Sequence, residues 1–115
     1  SFIHIRDVSL GQLAAMERGR IGEIYHLSSD QGVRVKDLVK EICEVIGKDL
    51  RSSTIDVGER LGQDKAYVID STKARDEFVW LPEITLADGL RQVTNWIEEW
   101  WDLICLEPLE YVHRP

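Results

Sequence analysis

The sequence predicts a mixed α/β fold, with about four helices and two or three short strands. Three observations carry that expectation. Val35, Leu38, Val39, Ile42, Cys43 and Ile46 form one continuous apolar stripe at helical spacing. Short apolar or alternating runs at residues 2–5, 23–27 and 67–69 are too brief for helices and read as strands. Glycines at 19, 22, 47, 58 and 62, with Pro82, separate these runs at intervals that suit a chain of short elements.

In order, Phe2, Ile3 and Ile5 suggest a strand, with Asp7 placed to cap a helix over residues 8–18. Gly19 and Gly22 flank a turn, and residues 23–27 form a second strand ending in the polar cluster 28–32. The helix over 35–46 stops at Gly47, which sits where a left-handed glycine belongs. Residues 54–57 suggest a short strand that feeds a charged, glycine-punctuated loop, Gly58-Glu-Arg-Leu-Gly-Gln-Asp-Lys65. After the apolar run 67–69, Asp70 offers a cap oxygen to a helix over 71–79, and Pro82 forbids its continuation. The last helix starts after Thr85, with Asp88 as the partner of a capping box, and its apolar face runs from Leu86 to Ile104. Three of the four tryptophans lie on it, which marks it as an expected hydrophobic anchor. Residues 1–104 read as one domain and 105–115 as an irregular tail.

At 115 residues the chain is long enough to bury roughly 65% of its unfolded surface. Its 43% hydrophobic and 30% charged content is that of a globular domain. The net charge of −7, with no basic stripe, argues against nucleic acid as a partner. No run of ~20 apolar residues suits a membrane, and no signal peptide is visible, so the expected compartment is cytoplasmic. Cys43 and Cys105 form no metal-type spacing and read as reduced thiols with packing roles. The opening Ser1-Phe-Ile-His-Ile lacks an initiator methionine and reads as cut from something longer.

One stretch, residues 57–82, is hard to obtain from packing needs alone. It runs arginine, glycine, acid, tyrosine, Ile-Asp-Ser, lysine, then Trp80-Leu-Pro82. It resembles the C-terminal signature of NAD-dependent nucleotide-sugar 4,6-dehydratases and epimerases, the extended short-chain dehydrogenase/reductase superfamily. Residues 2–7, Phe-Ile-His-Ile-Arg-Asp, resemble a second motif of that family, and 23–27 resemble its next strand. The resemblance extends over roughly residues 1–104.

The resemblance implies that Arg60 contacts the diphosphate of a sugar nucleotide. Gln63 stands where dehydratases commonly have histidine, and can hydrogen-bond but not carry charge. Asp64 matches the family's acid, and His26 replaces an asparagine that touches the nucleotide in relatives. The arginine that opens the 2–7 motif in relatives would fall one position before Ser1. The family's Leu-Gly-Trp-x-Pro appears as Phe78-Val79-Trp80-Leu81-Pro82, with the glycine lost.

The family's chemistry uses a Tyr-x-x-x-Lys pair and a glycine-rich dinucleotide turn, and neither occurs here. No spacing specifies a catalytic triad or a metal site. The implied role is therefore that of a substrate-binding portion without catalytic residues. NAD would belong to the parent enzyme and would not be bound by this part. The implied partners are a nucleoside-diphosphate sugar and a missing N-terminal cofactor domain, with a homo-oligomer expected if the 23–27 strand leaves an exposed edge. The alternatives are an epimerase fragment, or a self-standing, non-catalytic domain that binds a nucleotide or a protein.

Overall fold

The computed structural model describes residues 2–58, 62 and 66–108. These form six helices: α1 (Ile5–Arg18), α2 (Val35–Val45), α3 (Leu50–Ser53), α4 (Thr72–Phe78), α5 (Leu86–Glu99) and α6 (Trp101–Ile104). No strand occurs among the described residues, so the mixed α/β expectation is overturned in favour of a helical fold. The physical reason is that a strand exists only as one side of a hydrogen-bonded ladder. Segments 23–27, 54–57 and 66–69 have no ladder partner among the described residues. Ile5, expected in the first strand, is already helical.

The start of α1 differs from expectation for a related reason. His4, not Asp7, is its N-cap, its Nδ1 accepting from the Arg6 N–H at 3.2 Å. Asp7 instead lies in the first turn and is buried. The buried face of α1 is Asp7, Gly11 and Ala14, while Leu10, Leu13 and Met16 point to solvent. Small residues let a helix come close to its neighbours. A Cβ on Gly11 would lie 2.7 Å from both Leu27 methyls and 3.1 Å from Trp80.

α2 forms as expected, ending one residue earlier at Val45. Its stop is a Schellman arrangement, with the Lys48 N–H donating to the Cys43 carbonyl and the Gly47 N–H to that of Glu44. Gly47 supplies the required left-handed backbone at φ +65°. α5 also follows the sequence: Thr85 caps it through the Asp88 N–H at 3.1 Å. It is interrupted at Trp100, however, and α6 continues only to Ile104. Residues 105–108 carry no helix, and the rest of the expected tail lies outside the described residues. Cys43 and Cys105 are free thiols, but only Cys43 is buried and so suits a packing role.

The helices pack in two pairs, α1 on α4 and α2 on α5. Ala14, Ala74, Phe78 and Trp80 form the core of the first pair, with Ile3, Ala15, Tyr25 and Leu27 packed against it. The second pair is open. Nothing on α5 is buried, and the three tryptophans expected to anchor the last helix, Trp96 on α5, Trp100 at its end and Trp101 on α6, remain about half exposed. The accessible surface is 10290 Å², against roughly 6,500 Å² for a compact chain of this size. The radius of gyration, 17.6 Å, likewise exceeds the ~13 Å of a compact domain.

α4 ends on Val79 in the left-handed region, φ 55° and ψ 37°. A β-branched residue is strained there by about 1–2 kcal/mol, and the position is where the resembled family carries glycine. Val79→Gly should therefore raise stability by about 0.5–1 kcal/mol after the entropy cost of glycine. The urea midpoint measures this, and a lowered midpoint rejects it.

Candidate functional site

His26 lies on the segment that runs from the end of α1 to the polar cluster 28–32. Tyr25 and Leu27, on either side of it, turn inward onto the Phe78–Trp80 core, which leaves His26 exposed. The alternation that suggests a strand is thus a packing pattern against α4 and the core. Tyr25 meets Phe78 with ring centroids 4.5 Å apart.

Side chains of α4 hold this segment. Glu77 accepts from the Tyr25 hydroxyl and from both Nε and Nη2 of Arg20, while the Arg20 backbone N–H donates to the Tyr25 oxygen at 3.1 Å. Lys73 donates to Glu23 at 2.6 Å and to the Ile24 carbonyl at 3.0 Å, and its ammonium lies over the Tyr25 ring. Arg75 pairs with Asp30 and donates to the Ser28 carbonyl and the Ser71 hydroxyl, and that hydroxyl itself donates to the Ser28 carbonyl at 3.1 Å. These contacts satisfy backbone groups that a sheet would otherwise engage. The bond from Tyr25, then those from Arg20, hold the Glu77 carboxyl below its ordinary range. Lys73 does the same for Glu23.

Asp70 completes the described part of the site. It accepts from the Thr72 N–H at 2.9 Å and from the Thr72 hydroxyl at 2.6 Å, and these bonds depress its pKa, with smaller electrostatic contributions from Arg75 and then His26. As expected it supplies the cap oxygen for α4, although the cap residue is Ser71. Asp70 also ends the segment that returns from the 58–66 loop. Gly62, at φ +79°, is the loop's described midpoint. Arg60, Gln63 and Asp64, three of the four residues expected to bind substrate, lie outside the described residues.

The arrangement presents an exposed imidazole on a segment clamped from behind. Such a group can orient and hydrogen-bond a polar ligand. Among the described residues no His/Cys/Asp/Glu group is placed to hold a metal, and no helix is long and apolar enough to cross a membrane. Two concavities, of about 650 and 560 Å³, lie elsewhere against α2 and α5, and His26 lines neither. The clamp escaped the sequence reading because its partners stand 43 to 57 residues apart and no local spacing signals them.

No protein-family profile matches the chain. Among curated proteins it is similar to a dTDP-glucose 4,6-dehydratase of Streptomyces griseus, 33% identical over 104 residues, covering 88% of this chain and 31% of that protein. A trifunctional UDP-glucose 4,6-dehydratase/3,5-epimerase/reductase of Arabidopsis thaliana is 30% identical over 104 residues, covering 88% of this chain and 15% of that one. The chain thus spans about a third or less of the length of these relatives. Among solved structures, dTDP-glucose 4,6-dehydratase from Bacillus anthracis in complex with NAD superposes with a TM-score of 0.77 at 28% identity, over 89% of this chain and 33% of that one. The enzyme WbmF of Bordetella bronchiseptica in complex with NAD+ and UDP gives 0.73 at 25% identity, over 91% and 31%.

Proposed function

In sequence and fold the chain is homologous to the C-terminal portion of the nucleotide-sugar dehydratases and epimerases, and from that premise we propose that it is the substrate-binding part of such an enzyme. The parent reaction is the transient oxidation of a sugar on a nucleoside diphosphate, followed by loss of water, with a 4-epimerase as the alternative. Residues 1–104 form the substrate-binding unit. Arg60 carries the diphosphate contact, because a guanidinium forks onto phosphate oxygens while the neighbouring glycines admit a close ligand approach. Gln63, Asp64 and His26 complete the contacts.

One observation carries this reading: the sequence holds the arginine-x-glycine-x-acid order at Arg60, Gly62 and Asp64, in a glycine-punctuated loop between residues 58 and 66. The UDP in the WbmF complex supports a nucleoside diphosphate as ligand. The residues present do not fit NAD. The sequence has no glycine-rich dinucleotide turn, and the described residues form no sheet to carry one. The cofactor would bind to a domain supplied by the rest of the parent, and this part is inactive alone. Isolated, it self-associates.

The test is titration of the 115-residue chain with UDP and with dTDP, followed by NMR of the His26 imidazole. Half a pocket should bind weakly, with a Kd of about a millimolar. Arg60→Ala should weaken this tenfold or more, since a charge-assisted hydrogen bond contributes about 1.5–3 kcal/mol. Added salt should weaken binding as well. Micromolar binding by the chain alone would replace this reading with the self-standing binding module. An unperturbed imidazole at saturating ligand would remove His26 from the pocket.

A further inference from the structure

His26 is the centre of a short span, residues 24–28, that is braced one and two residues to either side of it. Tyr25 and Leu27 pack on the Phe78–Trp80 core. The Ile24 carbonyl accepts from Lys73 at 3.0 Å, and the Ser28 carbonyl accepts from Arg75 and from the Ser71 hydroxyl, each at 3.1 Å. The imidazole between them stays exposed. With no ladder partner among the described residues, the span takes its course from these side-chain bonds.

Arg75 stands out among the donors by what its position costs. Its side chain is only 17% exposed, whereas that of Asp30, its ion-pair partner, is 71% exposed. A pair with so exposed a carboxylate contributes little, and withdrawing a guanidinium from water is costly unless its N–H groups are bonded. Here they are: Nε donates to the Ser71 hydroxyl at 3.0 Å, Nη2 to the Ser28 carbonyl and Nη1 to Asp30. Ser71 is directed at the same carbonyl. It occupies the N-cap of α4 yet makes no capping bond with its side chain, and Asp70 supplies that oxygen instead. Two α4 side chains thus converge on one main-chain oxygen, that of buried Ser28, two residues from His26.

We propose that Arg75 is the positioning residue for His26. Its fork, closed by Ser71, fixes the Ser28 carbonyl and with it the place from which the imidazole meets the nucleotide. This rests on the reading of His26 as a nucleotide contact. Lysine cannot stand in, since an ammonium has no planar fork to serve Ser71, Ser28 and Asp30 together.

The test is NMR of the His26 imidazole in the 115-residue chain, free and titrated with UDP, with the helical circular dichroism signal as a folding control. Arg75→Lys keeps the positive charge that acts on Asp70 and should shift the resonances of the free imidazole. His26→Ala and Arg75→Lys should each weaken UDP binding about threefold, the scale of one hydrogen bond. The double variant should bind no more weakly than His26→Ala, because a residue that acts only through His26 has nothing further to lose. Ser71→Ala removes no capping bond, should act in the same direction, and serves if Arg75→Lys does not fold. Multiplied losses, about ninefold in the double variant, would show Arg75 acting by another route and overturn the proposal. So would an unchanged affinity in Arg75→Lys beside a weakened His26→Ala. If UDP binds and His26→Ala binds it equally well, His26 leaves the pocket and the proposal goes with it. If UDP moves no signal in the unaltered chain, the nucleotide reading falls and the free spectra decide the positioning. An imidazole unmoved by both Arg75→Lys and Ser71→Ala then overturns it.

Discussion

Phe78→Ala should cost about 3–5 kcal/mol, enough to dismantle the α1–α4 pair. Phe78 is fully buried, and among the described residues Ala14, Ala74 and Trp80 share its core as buried residues. Truncation removes the ring that packs at a tilt against Tyr25 and leaves a cavity that two alanines cannot collapse into. A small domain has about 5–15 kcal/mol in total, and the large surface of this chain suggests the lower end. Urea denaturation followed by Trp80 emission should show the α1–α4 transition lost or strongly advanced. Phe78→Leu, which retains most of the volume, should retain most of the stability. A truncated protein with an unchanged midpoint would mean that the core is not where the structure places it.

The second large effect is at Asp7. Its carboxylate accepts from the Ile84 N–H at 3.0 Å, and its carbonyl accepts from the Trp80 indole at 2.9 Å. Next to it, the His4 ring lies against Gly89, where an added Cβ would approach it at 3.3 Å. These contacts join the two helix pairs, since no helix of one pair packs on a helix of the other among the described residues. Asp7→Ala would leave the partly buried Ile84 N–H unpaired, at a cost of about 1–3 kcal/mol. It should also separate the unfolding of α1–α4 from that of α2–α5. Asp7→Asn keeps an acceptor oxygen and should lose less. If alanine and asparagine lower the urea midpoint equally, the Ile84 bond is not what Asp7 contributes.

The sequence marks Phe78 as the apolar anchor of its helix, whereas the buried role of Asp7 is one that periodicity could not reveal. α2 and α5 were legible because each carries its signal locally: an apolar stripe with a stop glycine in one, a Thr-x-x-Asp cap in the other. α1 was only half legible. Its inward face is a carboxylate, a glycine and an alanine, which no hydrophobic pattern marks, whereas the leucines and methionine that do mark a face lie outside. The strands failed for the opposite reason. Tyr25 and Leu27 do alternate with exposed residues, but alternation reports which side is covered and not whether a neighbouring backbone supplies the ladder. For the site, the residue order of 57–82 was enough to find the relatives. The clamp of Arg20, Lys73, Arg75 and Glu77 that holds the His26 segment was not, because ion pairs across 45 to 57 residues leave no trace in spacing.

The order of the helices has a topological consequence. α1 pairs with α4 and α2 with α5, so the two partnerships interleave along the chain. Both span residues 54–66. A single proteolytic cut there would leave neither product with a long-range helix pair of its own, yet each would carry one half of both. The two pieces would be obligate complements: each disordered alone, and able to restore the fold only by finding the other.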